Sequence, residues 1–273
     1  MIAPKLFVMK SAFAVLLSVG CAFLFSRPPI DARMPSGRAA KKSRVIILRK
    51  GDSTAPEVLL TFDDGPHPNS TYRILDILEK EHVPAVFFVV GVKVVQNPDA
   101  VKRMIAEGQE VGNHTQNHFR LDTITSKQVA WQLNKCESEF ERITGRRMTL
   151  MRPPGMRLNP AAQTVISELG YTVVGWTLAA KDFIPPATGP GAVVPKGGAI
   201  ATQPKEIAGR ILSRVKKGSI ILLHDAPWTA DALPRIIEGI RARGLRFESA
   251  SSFLRKLEPP AYCDTNPKLG LAR

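Results

Sequence analysis

Leu59-Leu60-Thr61-Phe62-Asp63-Asp64-Gly65-Pro66 is the stretch on which the fold turns. An apolar run of strand character ends in two adjacent carboxylates and a Gly-Pro turn. Two neighbouring Asp at the end of a buried strand cannot both pack against a core. Each raises the other's proton affinity unless a cation or a basic side chain neutralises one of them. An isolated Asp-Asp-Gly-Pro is equally compatible with a solvated turn between strands. The surrounding pattern has to decide between the two.

Outward from that stretch the chain alternates. Strands are predicted over 58–62, 85–90, 110–112, 148–151, 171–178, 219–223 and 246–248. Helices are predicted over 70–80, 98–107, 126–144, 160–169, 205–216, 230–243 and 251–257. Asn97-Pro98 and Asn159-Pro160 are helix starts, and Gly108, Gly145 and Gly170 are stops. Nearly all-apolar strands alternating with helices imply a parallel sheet covered by helices, closed as a barrel or open and doubly wound. Seven strands favour the α/β barrel, and Asp63-Asp64-Gly65-Pro66 stands where a nucleotide-binding sheet carries its Gly-rich phosphate turn.

Five polar signals follow five different predicted strands: Asp63-Asp64, His114 with His118, Arg152, Asp182, and His224-Asp225. Loops after the strands build the site in barrels, so these side chains are expected to converge. His114-Thr115-Gln116-Asn117-His118 has a spacing that brings both imidazoles to one side of a helical turn. With Asp64 they make a three-ligand set with open positions for water or substrate. His67 and His82, each alone, read as ordinary hydrogen-bonded side chains. No Glu lies between or beside His114 and His118, so the zinc-peptidase patterns are absent.

The 273 residues suit one catalytic domain with added segments. The net charge is +14, and the eight basic residues between 27 and 50 face only Asp31, so about half of the excess lies before the domain. The domain itself is only mildly basic and has no nucleic-acid-binding motif, so no nucleic acid is expected as partner, nor any obligate protein partner. Lys5 and Lys10 precede an apolar run over 11–25, the layout of a signal peptide or signal anchor. That run predicts an extracytoplasmic protein, secreted or held at the membrane through residues 6–25. The basic excess after the run rather than before it opposes a simple inside-to-outside anchor. The expected organisation is a signal segment over 1–26, a basic linker over 27–54 with a possible extra strand at 45–48, a catalytic domain over 55–258 and a tail over 259–273. Export would permit pairing of Cys136 with Cys263, but an unpaired buried thiol is the preferred reading. The Pro- and Gly-rich segment 179–203 is expected to be an irregular loop bordering the groove.

Taken together, Thr61-Phe62-Asp63-Asp64-Gly65-Pro66, His114-Thr-Gln-Asn-His118, Arg152-Pro153-Pro154-Gly155 and Leu222-Leu223-His224-Asp225 resemble, in that order, the motifs of the polysaccharide deacetylases of carbohydrate esterase family 4. The resemblance implies a distorted (β/α)7 barrel, a divalent metal (usually zinc, with cobalt or nickel as alternatives), and removal of an acetyl group from a sugar. It implies Asp64, His114 and His118 as metal ligands, Asp63 as general base, Arg152 as its orienting partner and His224 as general acid. Asp182 matches the acidic partner of that His. Leu222 would line the acetyl pocket, and Pro154, Gly155, Met156, Trp176 and Phe183 would form the rest of the substrate-binding set. Amide hydrolysis asks for an activated water, a polarised carbonyl and a protonated leaving amine, which these residue types supply. A backbone N–H of Gly155 or Met156 is available in principle to the oxyanion. Trp176-Thr-Leu-Ala179-Ala-Lys-Asp182-Phe183 departs from the family's usual Asp-Trp pattern, so the groove wall is expected to differ. The expected substrate is glucosamine-containing cell-wall glycan, with chitin oligosaccharides or acetylated xylan as alternatives, and a catalytically silent glycan-binding protein as the reading of another class.

Overall fold

The computed structural model describes residues 45–183 and 203–256. The predicted signal segment, most of the basic linker, most of the 179–203 loop, Cys263 and the tail lie outside the described residues. Among those described, no helix is long and apolar enough to cross a membrane.

The strands are β1 (Ile46–Leu48), β2 (Glu57–Gly65), β3 (Ala85–Val89), β4 (Glu110–Asn113), β5 (Leu150–Met151), β6 (Thr172–Val174), β7 (Leu178–Ala179), β8 (Ser219–His224) and β9 (Arg246–Phe247). All pair in parallel, in the order β1-β6-β5-β4-β3-β2-β8-β7, with β9 beside the start of β2. The sequence expected one strand over 171–178. The structure breaks it at Gly175–Thr177 into β6, which pairs with β1 and β5, and β7, which pairs with β8. Because those two pieces are consecutive in the chain, the two ends of the sheet are joined and the distorted barrel results. β1 joins the sheet, so the linker reading over 27–54 extends too far and the extra strand is real.

The helices are α1 (Thr71–Lys80), α2 (Gly91–Gln96), α3 (Pro98–Ala106), α4 (Ser126–Thr144), α5 (Pro160–Glu168), α6 (Pro204–Leu212), α7 (Pro227–Arg241) and α8 (Ala250–Arg255). α4 begins at a capping box in which Thr125 and Gln128 satisfy each other's backbone N–H, and it ends at Gly145 with φ 67°. The short α2 has no sequence expectation, since six residues carry too little periodicity to read.

Alternation along the strands separates two cores. Val58, Leu60 and Phe62 face outward to the helices. Leu59, Val86, Phe88, Leu150, Val174 and Ile220 form the barrel floor, with Phe253 of α8 among them. Thr61 and Asp63 continue the inward row above Leu59, so the floor is apolar and the upper end is polar.

Candidate active site

Strict alternation would send Asp63 and Asp64 to opposite faces of β2. A bulge prevents this: Asp63 pairs with Phe88 and Gly65 with Val89, which leaves Asp64 as the extra residue. Asp64 takes φ 71°, a left-handed conformation that Asp tolerates better than most side chains. The three carbonyls of the bulge are all engaged. Asp63 O accepts from Asp225 N–H at 2.9 Å and Gly65 O from Val90 N–H at 2.9 Å. Asp64 O accepts from Lys93 Nζ at 2.6 Å. Gly65 is required by close approach, since a Cβ there would sit 2.6 Å from Asp225 Oδ2.

Asp63 is nearly buried, and its Oδ1 accepts from an Arg152 guanidinium nitrogen at 2.6 Å. Among the described residues no hydrogen bond reaches its Oδ2, and His114 Nε2 stands 3.9 Å away. Arg152 has no exposed surface. It donates to Val174 O, Gly175 O and Thr61 Oγ1, each at 2.8 Å, and stacks 4.2 Å from the centre of the Phe88 ring. A fully buried guanidinium is tolerable because those bonds and Asp63 satisfy it. Burial still draws its proton affinity downward, against the pull of Asp63. The kink at Gly175 between β6 and β7 thus provides two of the carbonyls that hold this cation.

His114 follows β4 and is buried; its Nδ1 lies 2.6 Å from Arg152 O. A carbonyl can only accept, so Nδ1 carries the proton and Nε2 presents a lone pair to the cleft. His118 is brought alongside with ring centres 5.0 Å apart. The expected helical turn is absent. Residues 114–118 form a loop in which Thr115 (φ 71°) and His118 (φ 58°) are left-handed. Asn113 and Gln132 brace this loop by accepting the Thr115 and Asn117 N–H groups at 2.8 and 2.9 Å.

Asp64 Oδ1 lies 3.3 Å from His114 Nε2 and 3.1 Å from His118 Nε2. That oxygen is buried and has no hydrogen-bond partner. Burial alone would raise the Asp64 carboxyl, but the facing imidazoles outweigh it and hold the group well below the usual carboxylate range. One ligand atom from each of Asp64, His114 and His118 falls within 4.8 Å of the others. An orphaned anionic oxygen between two imidazole nitrogens is a donor set that fits a divalent cation.

His224 ends β8 beside Asp63, with which it is in register. Its Nδ1 lies 2.8 Å from Asp182 Oδ1, and its backbone N–H donates to Asp182 Oδ2 at 3.0 Å. Asp182 has no exposed surface, so it is not a solvated loop residue. Thr229 Oγ1 donates to Asp182 Oδ2 and Trp228 Nε1 to Asp182 O, both at 2.7 Å. Burial pushes the His224 imidazole down, but Asp182, with Asp64 and Asp63 behind it, carries it up to about 9.

The remaining expected residues divide. Leu222 is buried two positions before His224 and faces the same way. Phe183 lies 5.6 Å from the His224 ring. Trp176 packs on the barrel floor with its ring 5.6 Å from the Arg152 guanidinium, a supporting position. Pro154 is buried and opens a short 3-10 turn. In that turn Met156 N–H is already used by Pro153 O at 2.8 Å, which leaves Gly155 as the available donor. Asp225 faces away from the ligand set: it accepts from Ser70 at 2.5 Å and from Thr71, anchoring the start of α1. Lys93, Thr229 and Trp228 were invisible as site residues in the sequence, because each acts through a backbone or carboxylate that only the fold brings near.

The profile of the polysaccharide deacetylase family matches residues 50–174. A peptidoglycan-N-acetylglucosamine deacetylase of Bacillus cereus is 31% identical over 204 residues, 72% of this chain and 88% of that protein. The chain belongs to the polysaccharide deacetylase family. Two solved structures of this family superpose on it. Peptidoglycan deacetylase PdaC of Bacillus subtilis is 32% identical, with TM-score 0.65 over 75% of this chain and 93% of that one. A mutant, with restored activity, of a carbohydrate esterase family 4 pseudoenzyme is 25% identical, with TM-score 0.68 over 77% of this chain and 71% of that one. Polysaccharide deacetylases of this family are metal-dependent hydrolases that act on the acetyl amides of sugars.

Proposed function

We propose that this polysaccharide deacetylase removes N-acetyl groups from glucosamine units of cell-wall peptidoglycan, outside the cytoplasm, with zinc held by Asp64, His114 and His118. The observation that carries the reading is the meeting of three systems at one barrel end: the ligand set, the Asp63–Arg152 pair and the His224–Asp182 pair. A bound divalent cation lowers the proton affinity of a water and polarises the acetyl carbonyl.

Asp63 takes the proton of the attacking water at Oδ2, the oxygen that Arg152 leaves free. Arg152 fixes the carboxylate plane through its hydrogen bond to Oδ1. Gly155 N–H is the backbone donor for the oxygen that gains charge. His224 gives its proton to the departing amine, because an amine anion is too basic to leave. Asp182 keeps that imidazole charged and aimed until the step occurs. Leu222 and Phe183 shape the wall against the acetyl methyl and the sugar.

The relative in the pseudoenzyme structure shows that this fold can lack turnover, so a silent glycan-binding protein is the competing reading. Asp63 and His224, each with its buried partner, favour catalysis. The test is acetate release by the purified protein from peptidoglycan, chitin pentamer and acetylated xylan, with zinc, cobalt or nickel added and then with chelator. Release from peptidoglycan that chelator stops and zinc restores is expected. Absence of acetate from all three substrates would leave the binding protein, and release from xylan alone would move the substrate to an ester.

A further inference from the structure

We propose that the cleft between Phe119 and Trp131 is a second sugar subsite, which takes a pyranose ring of the same glycan chain at a distance from the reacting unit. The proposal rests on the deacetylase reading above and adds to it a residue-level determinant of chain length. A cavity of about 260 Å³ is lined by Asn117, Phe119, Ile124, Gln128, Trp131 and Gln132. That is below the roughly 300–1,000 Å³ of drug-sized pockets, so it suits one ring rather than a whole oligosaccharide.

Its place is set by the ligand loop. Asn117 and Phe119 are the two neighbours of His118, so two of the lining residues flank a member of the Asp64, His114 and His118 set. Its chemistry is that of a sugar site. Phe119 is 54% and Trp131 52% exposed, the two most exposed Phe, Tyr or Trp rings among the described residues, ahead of Tyr72 at 37%. Burial of large apolar side chains stabilises a fold, so leaving both rings in water forgoes stability. Ring faces of this kind stack on the C–H face of a pyranose. The polar rim complements them. Gln128 Oε1 is held by Thr125 N–H and Gln132 Oε1 by Asn117 N–H, each at 2.9 Å. Gln128 is exposed and its –NH2 has no hydrogen-bond partner among the described residues, so it can donate to a sugar hydroxyl, while the buried Gln132 braces the Asn117 end of the cleft.

The experiment compares chitin pentamer with chitin dimer as substrates of the full-length protein. Trp131→Ala is expected to lower the pentamer-to-dimer ratio of kcat/KM about three- to tenfold, with Phe119→Ala behaving alike. Trp131→Tyr, which keeps a ring face, should restore most of the ratio, whereas Trp131→Leu should not. A second readout does not need turnover: calorimetric binding of the pentamer to Asp63→Asn, with and without Trp131→Ala. If the wild type releases no acetate but Trp131→Ala weakens pentamer binding, the subsite stands and the catalytic reading falls. An unchanged ratio with an active enzyme overturns the subsite. So does loss of binding to anionic lipid vesicles with glycan affinity intact, which would make the rings a membrane contact.

Discussion

Asp63 points into the barrel, is 4% exposed and is gripped by Arg152 at 2.6 Å, while Asp64, the next residue, is left-handed and half-buried, and its Oδ1 lacks a hydrogen-bond partner. The one side chain is held by a fixed internal cation, and the other lies between two imidazoles in a set that could hold a metal ion. A single extra residue in β2 makes that difference, because the bulge turns what alternation would separate into two carboxylates facing one cleft. Groups of identical chemistry thereby acquire distinct tasks from their surroundings, as paired catalytic carboxylates commonly do.

The contrast breaks most sharply under isosteric amide replacement. Asp63→Asn removes the proton acceptor yet leaves the ligand set untouched, so kcat should fall about 10²- to 10⁴-fold with zinc content unchanged. Asp64→Asn should instead lose zinc on dialysis and lose activity with it, recoverable only in part at high zinc. Metal analysis beside acetate release separates the two. Retention of zinc by Asp64→Asn with its loss from Asp63→Asn would reverse the assignment.

A second contrast lies between the site's base and acid. Asp63 is steadied by a cation, whereas His224 is steadied by the anion of Asp182 and stands at about 9. The protonated imidazole is the useful form, so activity should hold through neutral pH and fall as pH rises through about 9. A bound cation opposes the contribution of Asp64 to this shift but not the direct bond from Asp182. In Asp182→Asn, burial acts without that counterweight and the imidazole returns to its ordinary value or below. The alkaline limb should then move toward 6.5, with about a thirtyfold loss at pH 8 relative to the wild type. A pH–rate profile whose limb stayed in place would remove His224 from the role of acid.

What the sequence disclosed and what it hid follow the same physical line. The polar residues at strand ends were readable because a charge that interrupts an apolar strand has few innocent explanations, and the barrel followed from alternation of strand and helix. The break at Gly175–Thr177 was not readable: it depends on which neighbour each half of the segment pairs with, β5 and β1 or β8. The loop geometry of 114–118 was misread as helical, since an i, i+4 spacing is equally met by a loop with left-handed Thr115 and His118. Asp182 was legible only through the family resemblance, because its burial depends on Thr229 and Trp228, contributed by α7, which hydrogen-bond to it. Met156 was offered as an oxyanion donor because sequence shows which residues own an N–H but not which N–H is already engaged.

Lys93 gives the smallest and most selective test of the bulge. It sits on α2, a helix the sequence did not announce, and donates to the carbonyl of Asp64 rather than to its carboxylate. It is thus a positioning residue: it holds the left-handed turn that aims Asp64, a conformation that costs about 1–3 kcal/mol when unsupported. Lys93→Met keeps the aliphatic stem and removes the donor. The Asp63 and Gly65 carbonyls retain their own partners, so the strand should stay paired and the melting temperature should move little. Zinc affinity, measured by chelator competition, should fall by about tenfold, the lower end of what outer-sphere partners contribute. Because Asp63 remains fixed by Arg152, kcat at saturating zinc should be nearly that of the wild type. Unchanged zinc affinity would mean that the bulge is held by its backbone bonds alone, whereas a lowered kcat at saturating zinc would mean that the two carboxylates are less independent than their surroundings suggest.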